Sequence, residues 1–145
     1  LRLQSDKMAI NTNSYSSNYK RYGLPIIHDH MEGYLGPLAG ILTAMKWAKD
    51  MDYEKVVTVA VDTPLFPENL LKDLYQKMET TNCDIVFAAS SADHGQEKVL
   101  HPVFGLWKTY LSDDLRKDLE RGVRGRGHAL CSASPDPAAP PDPPV

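Results

Sequence analysis

Apolar residues along this chain alternate between two rhythms. Short unbroken runs at Met8 to Ile10, Leu24 to Ile27, Val56 to Val61, Ile85 to Ala89 and Val103 to Trp107 have the length and residue types of strands. Between them the spacing is helical. Leu38, Ile41, Leu42, Met45 and Ala48 recur three and four apart, which predicts a helix from about Pro37 to Met51 with one apolar face. Leu70, Leu71, Leu74, Tyr75 and Met78 repeat that spacing, and Pro67 is placed to act as a first-turn residue. Ser112 is positioned to cap a third helix carrying Leu111, Leu115 and Leu119. Strands alternating with helices predict a mainly parallel α/β sheet. The Val56 to Val61 run has almost no polar alternation, so it reads as a central strand covered on both faces.

Composition narrows the class. With 145 residues, 42% hydrophobic and 24% charged, the chain has the make-up of one soluble globular domain. Its 16 Lys plus Arg against 19 Asp plus Glu leave a net charge of −3, which argues against a nucleic-acid partner. The longest apolar runs, about six residues, fall far short of the ~18 to 20 that span a bilayer. No basic-then-apolar leader opens the chain. The expectation is therefore a cytoplasmic protein with no membrane partner. Cys83 begins an apolar run and Cys131 lies in a proline-rich stretch, so no disulfide framework is expected.

The two ends differ from the middle. Of the eleven prolines, five precede residue 122 and six lie at 135 or beyond. From Gly122 onward there is no Ile, Met or aromatic residue, and such a segment buries too little apolar surface to offset its ordering entropy. Residues 122–145 are expected to be a disordered Gly/Arg-rich, then Pro-rich, tail. At the other end Leu1 leads within a few residues into the apolar step Met8-Ala9-Ile10, as though the chain begins inside a domain. An upstream part would then supply a first strand and its loop.

In open parallel sheets ligands bind beyond the carboxyl ends of the strands, so polar residues there carry the candidate chemistry. Asp62-Thr63-Pro64 directly follows the Val56 to Val61 run. A carboxylate there suits Mg2+ with phosphates completing the coordination, and it equally suits a turn. Gly36-Pro37-Leu38-Ala39-Gly40 opens the first long helix. Free N–H groups and the helix dipole favour an anion at such a start, and Gly36 permits close approach, though Pro after Gly is also an ordinary helix beginning. Asn11-Thr12-Asn13 and Asp29 end two strands. Amides can read a base edge and a carboxylate can accept from the guanine amino and ring N–H groups, while Asn and Asp also simply terminate strands. His28-Asp29-His30 lacks the further ligands zinc requires, His101-Pro102 could touch a ligand or shape a loop, and neither a G-x-S-x-G elbow nor a G-x-x-x-x-G-K-S loop occurs.

Taken in order, Asn11-Thr12-Asn13, Ile27-His28-Asp29, Gly36-Pro37-Leu38-Ala39-Gly40, Val61-Asp62-Thr63-Pro64-Leu65-Phe66-Pro67 and His101-Pro102-Val103-Phe104-Gly105-Leu106-Trp107 resemble the molybdenum cofactor guanylyltransferases. The resemblance runs from residue 8 to about 121. It implies a Rossmann-like three-layer sandwich of the nucleotide-diphospho-sugar transferase kind. The implied activity is transfer of GMP from GTP to molybdenum-molybdopterin cofactor, forming the guanine dinucleotide cofactor and pyrophosphate. Carried over by position, Asp62 would be the catalytic residue and Mg2+ ligand, Asn11, Asp29 and Asp62 would contact GTP, and Gly36 and Gly40 would line the molybdopterin side. Implied protein partners are those of molybdenum cofactor biosynthesis or the molybdoenzymes that receive the product.

The family's first strand leads into a glycine-rich loop with an Arg and a following Lys, and this sequence has no counterpart to it. The resemblance thus implies an N-terminally incomplete nucleotidyltransferase domain over residues 1–121, followed by a divergent tail. Two other readings stand beside it: a non-catalytic remnant of such an enzyme, and a related cytidylyl or sugar nucleotidyltransferase.

Overall fold

The computed structural model describes residues 5, 7–14, 17–31, 36–63, 66–91, 98–121 and 130–133. Two long helices form where the apolar spacing predicts them. One, α2, spans Pro37–Asp50 after the four-residue turn of helix α1, Ser17–Lys20, which no periodicity announces. Gly36 precedes α2 at φ +64°, a left-handed conformation that favours glycine, and Pro37 supplies the first turn. Its apolar face buries Ile41, Leu42, Met45 and Ala48. The other, α3, spans Leu70–Thr81, buries Leu70, Leu74 and Met78, and stops at Asn82 in the left-handed conformation that asparagine tolerates.

The strands are β1 (Ile10–Asn11), β2 (Ile26–Ile27), β3 (Lys55–Thr58), β4 (Ile85–Ser91), β5 (Lys98–Lys108) and β6 (Leu130–Ala133). β1 and β2 pair in parallel as a two-stranded sheet, and the others form a four-stranded sheet in the order β3-β5-β4-β6. β5 runs antiparallel to both β3 and β4, while β6 is parallel to β4, so β3, β4 and β6 share one direction and β5 alone is reversed. The short 92–97 connection explains the reversal. A parallel return needs a crossover of a dozen or more residues.

Side chains of alternate strand residues fill the two faces of this sheet. Val86, Ala88 and Leu106 join Leu70, Leu74 and Met78 of α3 on one face. Ile85 and Trp107 join Ile41, Met45 and Leu111 on the other, with Val56 and Phe87 packed against them. The arrangement is an α/β three-layer sandwich. The end of β5 is tied to the α2–β3 connection by Thr109, whose N–H donates to the Glu54 carbonyl at 2.9 Å and whose hydroxyl donates to the Tyr53 carbonyl at 2.7 Å.

Several expectations need correction. β3 ends at Thr58, short of Val61, and it lies at one end of the four-stranded order, half-buried at every position. β5 begins at Lys98, five residues before the apolar run, because Ala88 to Ser91 of β4 continue the pairing past a bulge at Phe87/Ala88. Ser112 is the first residue of α4, Ser112–Glu120, with helical φ and ψ, and no side chain caps the helix. Its buried hydroxyl has no hydrogen-bond partner. Within 122–145 the described residues are β6; the rest of the expected tail lies outside the described residues. Cys83 is disulfide-bonded, against the expectation from sequence context. Pairing of β6 with β4 places Cys131 in register with Val86, a proximity that linear spacing does not reveal. No helix among the described residues is long and apolar enough to cross a membrane.

Candidate functional site

The tips of β1 and β2 are cross-linked by side chains. Asn11 is the last residue of β1 and Asn13 lies two residues beyond it, and both side chains meet Asp29 just past β2. Asn11 Nδ2 donates to Asp29 Oδ1 at 3.0 Å, and Asn13 Nδ2 donates to Asp29 Oδ2 at 2.8 Å. The Asp29 backbone N–H returns a bond to Asn13 Oδ1 at 3.0 Å. Thr12 N–H donates to the Ile27 carbonyl at 3.0 Å, and the His28 ring Nδ1 meets the Thr12 carbonyl. The Asp29 carboxylate therefore has an amide donor on each oxygen, which leaves about half of its roughly four acceptor positions for a ligand.

Helix α2 packs against these tips through Gly40. A Cβ there would sit 2.9 Å from Asn11 Oδ1 and 3.8 Å from Asp29 Oδ1. Gly36, one residue before the helix, has open space in front of it. After β3 the chain continues through Val59 and Ala60 to an exposed Asp62, whose Oδ1 accepts from the Thr63 hydroxyl at 3.3 Å.

Asn11, Asp29, Gly36, Gly40 and Asp62 all line one cavity of about 1190 Å³. Those are the residues to which the resemblance assigns ligand contact; Asn13 and His101, also considered from the sequence, do not line it. The cavity runs the length of β3, from Asp62 past Thr58 and Val57 to Lys55. At that far end the Lys55 ammonium donates to Glu79 Oε1 at 2.6 Å and lies 4.4 Å from the Tyr75 ring centroid. The Glu79 hydrogen bond raises the Lys55 pKa above its ordinary value, against a smaller opposing effect of burial. Gly40, which the resemblance assigns to the molybdopterin side, backs onto the Asn11–Asp29 pair.

Sequence reasoning missed the Lys55–Tyr75–Glu79 end, since lysine, tyrosine and glutamate scattered over a strand and a helix give no local signal. It also left Asn11 and Asn13 undivided. Which of them lines the cavity was not legible, because that depends on how the tips of β1 and β2 meet. Asn11 lines the cavity and Asn13 does not.

Among the described residues no group of three or more His, Cys, Asp or Glu side chains converges on one point. The donor set at Asp62 is a lone exposed carboxylate. Such a site fits a hard cation held by one carboxylate and the phosphates of a ligand, and does not fit zinc or a cation caged by protein alone.

Gly40→Ala is expected to fold with its stability unchanged or raised by up to about 1 kcal/mol, because alanine suits a helix interior better than glycine. The added methyl must push the Asn11 side chain away from Asp29. Thermal melts and the Asn11 side-chain amide resonances check this; a lower melting temperature with Asn11 undisturbed would contradict it.

The family model for the MobA-like NTP transferase domain matches residues 1–134. A molybdenum cofactor guanylyltransferase of Rhodopseudomonas palustris (strain BisB5) is 36% identical over 118 residues, covering 80% of this chain and 53% of that protein. One of Rhizobium meliloti (strain 1021) is 38% identical over 130 residues, covering 86% of this chain and 56% of that protein. The chain thus spans about half the length of the curated relatives it matches. Among solved structures, molybdopterin-guanine dinucleotide biosynthesis protein A from Archaeoglobus fulgidus superposes with a TM-score of 0.63 at 19% identity, over 87% of this chain and 62% of that one. A protein from Aquifex aeolicus VF5 superposes with a TM-score of 0.70 at 15% identity, over 90% of this chain and 65% of that one. These likenesses carry the fold. With the family model spanning all but the last residues, and with relatives above 30% identity over most of its length, this chain belongs to the MobA-like NTP transferase family.

Proposed function

We propose that this chain is the nucleotide-handling part of a molybdenum cofactor guanylyltransferase, which moves GMP from GTP to the molybdenum-bearing molybdopterin and releases pyrophosphate. The observation that carries the reading is the convergence of Asn11, Asp29 and Asp62 on one cavity beside the start of α2. The relatives' names point to the same reaction.

Each group has a task. The acceptor positions left on Asp29 match the paired donors of the guanine edge, its ring N–H and its amino group. Asn11 stands beside them on the cavity wall. Asp62 would hold Mg2+ against the phosphates, where the cation supplies charge neutralisation at the α-phosphorus. Gly36 leaves the backbone at the start of α2 open to close approach, which suits the molybdopterin side, with Gly40 one helical turn further on. The terminal phosphate of the pterin attacks the α-phosphorus in line as the bond to pyrophosphate breaks, so placement and electrostatics do most of the catalysis.

Calorimetric titration with GTP, CTP and UTP, each with Mg2+, tests the reading. GTP is expected to bind at least about tenfold more tightly than either pyrimidine nucleotide, since a site built around donor–acceptor pairs strongly rejects a base that leaves them unmatched. Equal or tighter binding of CTP or UTP would favour a cytidylyl or sugar nucleotidyltransferase instead.

A further inference from the structure

We propose that Asn13 is a positioning residue which aims the Asp29 carboxylate and thereby sets the preference for guanine, without itself touching the nucleotide. The inference rests on the guanylyl reading above and extends it to a residue outside the cavity.

The geometry divides the labour between the two asparagines. Asn11 lines the cavity and spends one amide hydrogen on Asp29 Oδ1. Asn13 lies behind Asp29 and clasps it at two points, receiving the Asp29 backbone N–H on Oδ1 at 3.0 Å and donating from Nδ2 to Asp29 Oδ2 at 2.8 Å. A single amide side chain thus bonds both the main chain and the side chain of the same residue, which fixes the carboxylate relative to its own backbone. Without that clasp the carboxylate is held only through Oδ1 by Asn11, so Oδ2 can swing and its open acceptor positions no longer hold one direction. Two parallel hydrogen bonds to a base edge demand such direction.

The β1–β2 tips do not depend on the clasp for their pairing. The Thr12 N–H bond to the Ile27 carbonyl at 3.0 Å and the His28 contact with the Thr12 carbonyl involve neither Asn13 nor Asp29. Removing the Asn13 amide should therefore leave the strands together and loosen the carboxylate, which keeps only its Asn11 bond.

The test uses two variants of the full chain and two nucleotides. Asn13→Ala removes both contacts. Asn13→Asp keeps an oxygen to accept the Asp29 N–H but replaces the amide donor with a second carboxylate facing Asp29. GTP and ITP, which differ only in the 2-amino group, are titrated with Mg2+, and amide hydrogen exchange at Asp29 is followed without nucleotide. The unmodified chain is expected to favour GTP over ITP by about tenfold, the scale of one well-placed hydrogen bond. Both variants should bring that ratio to within about twofold, chiefly by weakening GTP. Asp29 N–H should lose its protection in Asn13→Ala and keep most of it in Asn13→Asp.

A purely structural Asn13 would weaken GTP and ITP by the same factor and leave their ratio intact; that result overturns the proposal. Unchanged exchange at Asp29 N–H in Asn13→Ala overturns it as well. If the unmodified chain is indifferent to the 2-amino group, the guanine reading falls and takes the selectivity half of this proposal with it. Exchange at Asp29 then still decides whether Asn13 holds the carboxylate.

Discussion

On the guanylyl-transfer reading proposed above, Asp62→Asn is expected to lower Mg2+-dependent GMP transfer by on the order of 10²- to 10³-fold, the scale seen when one pre-placed electrostatic contact to a reacting centre is removed. The substitution keeps the size and shape of the side chain, and an amide oxygen can still accept from the Thr63 hydroxyl that now bonds Oδ1 at 3.3 Å. What it removes is the charge. No cluster of three or more His, Cys, Asp or Glu side chains among the described residues could take over the cation. Asp62 is exposed and lies beyond the last paired residue of β3, so its stability contribution should be small. The measurements are pyrophosphate release from Mg-GTP with molybdopterin cofactor, the Mg2+ dependence of GTP affinity, and a thermal melt. An aspartate that merely shapes the turn would give the opposite pattern: a shifted melt, with transfer per folded molecule and metal dependence unaltered.

The order in which structure was legible follows the range of the interactions involved. α2 and α3 appear where the three-and-four spacing of Leu, Ile and Met predicts them, because one buried face of a helix is written locally. The strand calling for the most correction is the one whose apolarity has two causes. Val56, Val57 and Val59 pack against the two cores while also lining the cavity, whereas Ala60 and Val61 only line it, beyond the pairing with β5, and Val61 is 78% exposed. A continuous apolar run does not distinguish these. Lys98 to His101 join β5 although they are exposed, since backbone pairing with β4 places them there and no apolar face records it.

The site shows the same division. Asn11, Asp29, Gly36, Gly40 and Asp62 could be marked because they flank strand ends and a helix start, positions that sequence reveals. Their grouping around one cavity is a tertiary fact, as is the difference between Asn11, which lines it, and Asn13, which does not. Ser112 illustrates the reverse case: a residue type that favours caps sits one position inside the helix, where its hydroxyl is buried without a partner.

The largest loss of stability is expected from Trp107→Ala, about 3–5 kcal/mol. Trp107 faces Val56 of β3 on one side and Ile85 of β4 on the other, so it spans the middle of the sheet. It is 3% exposed and packs with Ile41 and Met45 of α2 and with Leu111. Its ring meets Phe87 edge-on at a centroid distance of 5.1 Å. Its Nε1–H donates to Thr58 Oγ1 at 3.0 Å, and that hydroxyl in turn donates to the Val103 carbonyl at 2.8 Å. The indole also needs Gly105, where a Cβ would lie 3.0 Å from Nε1 and 3.1 Å from the Phe87 ring. Alanine at 107 therefore leaves a cavity between α2 and the sheet and removes the donor to Thr58. Trp107→Phe separates the two effects, because it keeps an aromatic ring against Phe87 and loses only the N–H and some volume; a cost of about 1–2 kcal/mol is expected. Urea unfolding of the three proteins reads both numbers, and for a chain of this size each kcal/mol corresponds to roughly 3–5 °C in melting temperature. Should Trp107→Ala cost less than about 1 kcal/mol, well below the scale of emptied aromatic sites, the packing of α2 on this sheet face would not be what holds the domain together.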